Sequence, residues 1–484
     1  MAETDWTCIR TLAHLADLRA ADGESWPKLT DVTSQLLPHD QLLASRLTKA
    51  GSGRVGSSLT AYVCARVHRR LRALAVASSS KQAVQLEMSA TAVLGRMEAI
   101  GFGFDRRLCD EWVKEFRERM QSLETEAHSI AGVGFNLDSP SAVANVLFSR
   151  LGLAHPGGMS TAKRHYATNR TVLEQLSKSH RLPAVILEWR QLNNALDTAL
   201  APLSRLVDDD QRVRGRFDPF TATGRISMHQ PNIQSIPKTK FAHADGERQS
   251  VRALFKATEG YSLIMIDYSQ LELRVLAHMS NDARLLAVLN SRSGDVFDSI
   301  ARQWKSVLGP VERQKVKQVC YGIIYGMGPT TLAEQMGTDV ETARKFTNQF
   351  YSDFPGVRKW IDETIELCAS RGHIRTLLGR SRRLPHIHSK VAADRSRAER
   401  QAINSTIQGS AADIFKCALI DVEKVVAANA GRLVMQIHDE VIVEVPTDRL
   451  PTVSPQLTTA METCRNDLRV KLFVKLKCGK TWDI

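Results

Sequence analysis

Apolar positions change their spacing along the chain, and these changes predict where the helices and strands lie. Trp112, Phe116, Met120 and Leu123 recur every three or four residues, as on one face of a long amphipathic helix. A second helical run extends over residues 173–196, and the stretch between the two runs is polar and basic. Two helices joined by a basic loop suit a clamp on a polyanion, although an ordinary helical hairpin explains this segment alone more simply.

The middle and the end of the chain contain short strand patterns that finish in carboxylates. Residues 262–266 form an apolar run that leads to Asp267, and a helical pattern follows at once. Nearer the C-terminus two apolar runs, 433–437 and 441–445, flank an acidic stretch that contains Asp439. This pattern predicts a β-hairpin with acidic residues at its tip.

Each of these carboxylates has an ordinary structural explanation, because Asp is common at helix caps and in turns. Asp267 and Asp439 are far apart in the sequence, which therefore does not prove that they meet. If they do, they form a site for two Mg²⁺ ions, hard cations that prefer oxygen ligands. Two such ions stabilise an in-line phosphoryl displacement, a chemistry that polymerases share with nucleases.

A third segment predicts a helix with a distinctive face. Arg313, Lys317 and Tyr321 are spaced by four, so they project from nearly one side of a helix, and Tyr325 continues the row. Cations suit a triphosphate, and an aromatic ring suits a nucleobase or a sugar. A solvated basic helix explains the two cations alone, but it does not explain two tyrosines on the same row, each followed by glycine.

The composition narrows the class of protein. The chain of 484 residues is 43% hydrophobic and 24% charged, an ordinary globular composition with length for roughly three domains. Its formal charge of +13 favours a polyanionic partner such as nucleic acid. No apolar run approaches the roughly 18 residues of a membrane helix. The eight cysteines form no CxxC pair, which argues against a zinc module and fits a reducing compartment.

Six segments of the sequence resemble the motifs of the A-family DNA polymerases, the family of bacterial DNA polymerase I, and they occur in the family order. The resemblance extends over about residues 86–484. Within the family, residues 186–190, 320–328 and 334–337 most resemble the theta and nu branch, with theta the nearer. The six segments are the thumb segment 135–140, the palm segments 221–227 with 231–234, motif A at 267–274, motif B at 313–326, the block 399–404 with 408–413, and motif C at 436–440.

The resemblance implies an α+β right-hand polymerase fold, with an antiparallel palm sheet, helical fingers and a helical thumb. It divides the chain into an N-terminal remnant too short for a proofreading exonuclease (1–85), the thumb and the start of the palm (86–215), the palm with motif A (216–285), the fingers with motif B (286–395) and the palm with motif C (396–484).

By the same resemblance, Asp267 and Asp439 ligate two Mg²⁺ ions, for which Mn²⁺ is a substitute, and the backbone carbonyl of Tyr268 adds an oxygen. Glu440 supports this pair as a neighbouring carboxylate. The 3′ hydroxyl of a primer attacks the α-phosphorus of a dNTP, and Lys317 protonates the leaving pyrophosphate.

The incoming dNTP is assigned to seven side chains by the resemblance. Arg313 and Lys317 hold the phosphates, Tyr321 stacks on the nucleotide, and Tyr325 occupies the template-base position until the fingers close. Glu272 crowds the sugar 2′ position and so selects dNTP over rNTP. The remaining two are Gln270 in motif A and His438 at the primer terminus.

A further set of residues matches family positions along the primer–template DNA. Donors in the minor groove check pair geometry rather than sequence, because purine N3 and pyrimidine O2 acceptors are alike in all correct pairs. Residues 375–400 also carry eight cations against two acids, which favours a track for the phosphate backbone. The residues assigned to DNA are Arg225, Asn232, Gln234, Arg400, Asn404, Gln408, Arg380, Arg382 and, in the basic loop, Lys163.

We therefore expect a nuclear DNA polymerase that acts in repair by theta-like end joining, gap filling or translesion synthesis. It works without proofreading, as a monomer on primer–template DNA with dNTP, and a helicase is a separate partner if one takes part. No membrane partner is expected. The short spacings from Arg225 to Asp267 and from Asp413 to Asp439 leave little room for the insertions that theta uses on poorly paired ends.

Three other classes of protein fit part of the pattern. A catalytically weak DNA-binding scaffold would keep the basic stretch and lose the carboxylates. A single-subunit RNA polymerase shares the fold, but Glu272 and Glu440 argue against it. A nuclease shares the metal chemistry and has no need for the face from Arg313 to Tyr325. Primer extension with separate dNTP and rNTP pools distinguishes all four.

Overall fold

The fold is known from a computed structural model, which describes residue 36 and residues 71–155, 166–243, 246–291 and 295–483. Lys163 lies outside the described residues, so its assignment to DNA stays a prediction. The chain forms two compact units. The first consists of the segment that ends at Ala99, Phe217–Met228 and Ile264–Lys477, and the second of Ile100–Arg216, His229–Leu263 and the segment that begins at Cys478.

Helices make up most of the described chain, and the long ones match the runs of three- and four-residue spacing. The predicted amphipathic helix is α2, which begins after the capping side chain of Asp105 and ends at Gly132, whose φ is 64°. The helices are α1 (Lys81–Ile100), α2 (Arg106–Ala131), α3 (Pro140–Ala144), α4 (Arg170–Leu176), α5 (Arg181–Ala195), α6 (Ala201–Leu206), α7 (Leu271–Ser280), α8 (Ala283–Asn290), α9 (Val296–Leu308), α10 (Arg313–Ile324), α11 (Pro329–Met336), α12 (Val340–Asp353), α13 (Pro355–Arg371), α14 (Ala392–Ala428) and α15 (Leu450–Thr463).

Short strands form several small sheets, and the α+β class predicted from the sequence is confirmed. The largest sheet has four strands in the order β10-β11-β7-β12, and the others have two strands each. The strands are β1 (Phe102–Gly103), β2 (Arg212–Val213), β3 (Arg216–Asp218), β4 (Ser227–His229), β5 (Lys240–Ala242), β6 (Arg248–Ser250), β7 (Tyr261–Tyr268), β8 (His373–Arg375), β9 (Ser381–Arg383), β10 (Arg432–Ile437), β11 (Glu440–Pro446) and β12 (Val474–Gly479).

The four-stranded sheet and the long helix α14 contribute much of the core of the first unit. Strands β10, β11 and β7 each carry a run of five buried residues. Helix α14 is 37 residues long, and most of its buried side chains lie between Ala398 and Val426. Because β7 stays buried as far as Ile266 and is exposed at Asp267, the carboxylate stands where the buried part of the strand gives way to solvent.

The sequence analysis made two further predictions about this architecture, one on membrane helices and one on the division into segments. Among the described residues, no helix combines the length and the apolar composition that crossing a bilayer requires. The division of the chain into five segments of thumb, palm and fingers stays a prediction.

Candidate active site

Of the two predicted metal-binding carboxylates, Asp267 lies at the end of β7 and Asp439 lies in the turn that precedes β11. Strand β11 lies beside β7 in the four-stranded sheet. The backbone N–H of Tyr268, the last residue of β7, donates a hydrogen bond to the carbonyl oxygen of Asp439 over 3.3 Å. This contact brings the backbone that carries Asp267 against the backbone that carries Asp439, as the two-carboxylate hypothesis requires.

Asp439 lies in a tight two-residue turn between β10 and β11. His438 is exposed and has a φ of 52°, a left-handed conformation that is uncommon for a residue with a side chain. The Gln436 side chain donates to the His438 carbonyl oxygen over 3.4 Å. Glu440 is the first residue of β11 and pairs with Ile437, so the hairpin tip is shorter than the acidic stretch predicted from the sequence.

Negative charge accumulates around Asp439. The pKa of Asp439 is raised to about 7, mainly by burial and then by the nearby carboxylates of Glu272 and Asp267, while Arg225 opposes the shift. A divalent cation would relieve this repulsion, and the donors are the carboxylate oxygens that Mg²⁺ and Mn²⁺ prefer. Within the described chain, no group of three or more His, Cys, Asp or Glu side chains has a metal-binding arrangement, so the donor set on offer is this carboxylate pair with backbone oxygen.

Glu272 occupies a buried position between two other predicted site residues. It lies in the first turn of α7 and is 3% exposed. One of its carboxylate oxygens pairs with the Arg225 guanidinium, and the other accepts a hydrogen bond from the Tyr325 hydroxyl over 3.1 Å. Burial raises the pKa of Glu272, and Arg225 and Tyr325 oppose that shift. Gln270, with a φ of 53°, precedes α7 and accepts the Arg274 N–H at its backbone carbonyl.

The predicted row of cations and tyrosines lies along α10. Arg313 is the first residue of this helix, and Tyr325 follows its last residue. The Lys317 ammonium lies 5.9 Å from the centre of the Tyr321 ring, and the Tyr321 and Tyr325 ring centres are 6.1 Å apart. Burial raises the pKa of the Tyr325 hydroxyl to about 12, so it stays protonated at neutral pH. The row is therefore formed as the spacing predicted.

Arg313 has partners that the sequence analysis missed. Its guanidinium donates to Asp295 over 2.7 Å, lies 4.0 Å from Asp298 and lies 5.4 Å from the centre of the Phe297 ring. The hydrogen bond from Arg313 lowers the pKa of Asp295. Asp295 also caps α9. In the sequence, a carboxylate directly before a helical pattern predicts that Asp295 caps the helix. It does not predict that Asp295 pairs with Arg313. A triphosphate on Arg313 would have to compete with Asp295.

The residues assigned to DNA are distributed over both units. In the first unit, Arg400, Asn404 and Gln408 follow one another at four-residue spacing on α14, and Arg400 is exposed. The Arg382 guanidinium donates to the Ser405 hydroxyl of the same helix over 2.5 Å. Two residues of this set belong to the second unit. Asn232 is exposed before a 3₁₀ turn, and Gln234 is half-buried within that turn.

Arg380 requires a correction. The sequence analysis assigned it to the phosphate backbone as part of the basic stretch, but its side chain is only 5% exposed. Its guanidinium pairs with Glu87 of α1 and lies 3.5 Å from Asp413 of α14. The buried partners neutralise Arg380 inside the first unit, so in this conformation it does not face DNA.

Comparison with known proteins shows the family to which the chain belongs. The model of DNA polymerase family A matches residues 106–484. DNA polymerase theta of Caenorhabditis elegans is 38% identical over 83% of this chain and 24% of its own length. The thermostable DNA polymerase I of Thermus filiformis is 36% identical over 82% of this chain and 48% of its own length.

A solved structure gives the same answer for the fold. The polymerase domain of Pol1 from M. smegmatis, in complex with DNA primer-template and dNTP, aligns with a TM-score of 0.80 and 28% identity over 98% of this chain and 81% of that one. The chain spans about a quarter of the theta relative and about half of the bacterial one. Because the family model matches most of its residues, the chain belongs to DNA polymerase family A.

Proposed function

We propose that this chain is a template-directed DNA polymerase that adds dNTPs to a primer 3′ end. The observation that supports this most directly is the hydrogen bond from the Tyr268 N–H to the Asp439 carbonyl, which joins the end of β7 to the turn that carries Asp439. A nuclease or a scaffold would have no use for the tyrosine and cation row of α10 in the same unit. The matched relatives, which are DNA polymerases by name, agree with the proposal.

Asp267, Asp439 and the Tyr268 carbonyl would hold two divalent cations, Mg²⁺ or in its place Mn²⁺. When bound, such ions lower the pKa of the primer hydroxyl and neutralise charge on the triphosphate. Glu440, half-buried at the start of β11, adds negative charge beside the pair. Burial, and after it the repulsion from Glu272 and Asp267, raises the pKa of Asp439, and a bound cation would relieve the repulsive part of this shift.

The helix α10 would bind the nucleotide and supply a proton. Arg313 exchanges its ion pair with Asp295 for the β- and γ-phosphates, and Lys317 gives a proton to the leaving pyrophosphate. Tyr321 stacks on the incoming base. Tyr325 leaves the template-base position on closure, and this movement breaks its hydrogen bond to Glu272. Gln270 borders the nucleotide, and exposed His438 meets the primer terminus.

Partners and cellular role follow from the relatives. The M. smegmatis domain was solved with primer-template DNA and dNTP, and we propose the same two ligands for this chain, bound as a monomer. Three of the relatives are named DNA polymerase theta, which supports a role in DNA repair by end joining, gap filling or translesion synthesis in the nucleus. A separate helicase partner stays a prediction.

Primer extension tests the proposal. Wild-type protein is incubated with a primed template, Mg²⁺ and separate dNTP or rNTP pools, beside Asp267→Asn and Asp439→Asn. Asp362→Asn, in an exposed ion pair on α13, serves as the control. We expect dNTP-dependent extension that falls by at least about 10³-fold in both site variants and not in the control. Extension only with rNTP, degradation of the primer or DNA binding without synthesis would each favour a different class of protein.

A further inference from the structure

A buried charge network in the first unit contains none of the residues that the proposed mechanism uses. Its members are Glu87, Arg380, Asp413 and Lys416, which are 1%, 4%, 0% and 0% exposed. Charged side chains are almost never buried so completely unless they are paired. The two acids and two bases balance formally, so the network is neutral only as long as every member keeps its charge.

Glu87 is the shared counter-ion of both cations. The Lys416 ammonium donates to Glu87 Oε1 over 2.6 Å, and the Arg380 guanidinium pairs with the same oxygen. Asp413 is a weaker partner, because its Oδ1 lies 3.5 Å from Arg380. Burial, and next the charge of Arg380, lower the pKa of Lys416, and the charge of Asp413 opposes this shift. The contact that holds the ammonium is its hydrogen bond to Glu87.

The second oxygen of Asp413 is already occupied. Its Oδ2 accepts hydrogen bonds from the Thr376 hydroxyl over 2.5 Å and from the Leu378 N–H over 3.2 Å. Asp413 therefore stabilises the loop between β8 and β9 as well as Arg380. Removal of Glu87 would leave one carboxylate, already engaged, for two buried cations.

The network adjoins the candidate active site on two sides. Lys416 lines a small cavity together with Arg225, Gln436, His438 and Asp439. Both residues of the motif C turn line this cavity, and the backbone of the turn is in a left-handed conformation at His438. A shift of Lys416 would therefore change the surroundings of that turn directly.

On the other side, Arg380 lies against the backbone before Arg225. A Cβ atom added to Gly224 would lie 2.6 Å from Arg380 Nε, so only glycine allows this approach. Arg380 Nε and Nη1 have no hydrogen-bond partner in the described chain. The guanidinium is therefore held through its Nη2 edge, where Glu87 is the nearer partner.

We propose that Glu87 is a positioning residue for nucleotide addition, which holds Arg380 and Lys416 in place beneath Gly224 and the His438–Asp439 turn. Glu87 lies on α1, outside the residues that match the family model. This inference rests on the proposed function. Without Glu87, one or both buried cations must move or take up water, and the backbone of Arg225 and Asp439 moves with them. The cations of α10, which would bind the triphosphate, are not part of the network.

A comparison of two variants on the same helix pair tests this inference. Glu87→Gln keeps the shape of the side chain and removes its charge. Arg96→Gln is the matched control, because the Arg96 side chain of α1 is 54% exposed and forms an ion pair with Glu423 of α14 over 2.7 Å. Single-turnover primer extension gives the maximal rate constant of nucleotide addition and the half-saturating concentration of dNTP, which are called kcat and KM here. We expect kcat of Glu87→Gln to fall by about tenfold or more with KM within about threefold, since misplaced reacting groups slow the chemical step. Both constants should be unchanged in Arg96→Gln.

The outcomes separate the two proposals. Wild-type protein that fails to extend a primer refutes the proposed function, whereas an active wild type with an equally active, folded Glu87→Gln refutes this inference alone. A rise in KM at constant kcat also contradicts it. If circular dichroism shows that Glu87→Gln is unfolded, Glu87→Asp decides, because it keeps the charge on a shorter arm: a lowered kcat at constant KM supports the positioning role, and wild-type constants overturn it.

Discussion

Glu272 illustrates how one residue can depend on two distant partners. Its carboxylate is 3% exposed and is held by Arg225 and Tyr325, which come from other segments of the first unit. The left-handed backbone of Gln270 lets the chain turn from β7, which carries Asp267, into α7, which carries Glu272 in its first turn. A buried carboxylate in this place would reject a sugar hydroxyl that it cannot accommodate.

Glu272→Ala is expected to relax sugar selection. Removal of the carboxylate opens space at the predicted 2′ position, so the preference for dNTP over rNTP should fall by at least about tenfold. The ratio of kcat/KM for the two pools is the measurement, because the loss of the Arg225 ion pair lowers both rates. Glu366→Ala, an exposed carboxylate on α13, should leave the ratio unchanged. An unchanged ratio in Glu272→Ala would show that the gate is misassigned.

At the scale of elements, helix α14 has two different parts. Its first turns are mostly exposed and include Arg395, Arg397 and Arg400, whereas from Ala402 onward most side chains are buried. The exposed part continues the basic stretch that the sequence assigns to a phosphate track. With Arg380 paired internally, the cations left for such a track are mainly those on the surface of this stretch.

The exposed cations of α14 should contribute to the salt dependence of DNA binding. For Arg395→Gln/Arg397→Gln, we expect weaker binding and a slope of log Kd against log salt that is smaller by up to about two, since each phosphate contact contributes about 0.9. Lys424→Gln, at the other end of the same helix and 71% exposed, is the control. Titration of a labelled primer–template at several salt concentrations gives the slope. Equal slopes for all three proteins would remove these arginines from the interface.

At the scale of the whole molecule, the family of the chain and its positive net charge both favour nucleic acid as a partner. The family model matches residues 106–484, and the chain carries a formal charge of +13. Glu87, which pairs with Arg380 and Lys416 of the matched residues, lies before them in the sequence. The described polymerase core therefore includes α1, which carries the counter-ion of two buried cations.

We expect the protein to lack proofreading. Incubation with a mismatched 3′ end and no dNTP should leave the primer intact. Asp22 and Glu24 stand at an Asp-x-Glu spacing and lie outside the described residues, so Asp22→Ala/Glu24→Ala is the informative companion. Excision by the wild type that this double variant abolishes would assign an exonuclease to these acids. Excision that persists in the double variant would still contradict the prediction.

The sequence by itself determined the elements and the family. Three- and four-residue spacing located α2 and α10, and the apolar runs located β7, β10 and β11. Such patterns depend on local geometry, because a helix or strand with one buried face requires apolar residues at its own period. The motifs then indicated the fold, because their residues occur in a fixed order along the chain.

Only the tertiary structure decided which charges are buried and with whom they pair. Arg380 looked like one more cation in a basic stretch, but it is buried against Glu87, 293 positions away. In the same way Arg313 has Asp295 and Asp298 as partners. Charge pairing depends on which surfaces pack together, and a local pattern of residue types has the same appearance whether its charges meet solvent, DNA or a buried carboxylate.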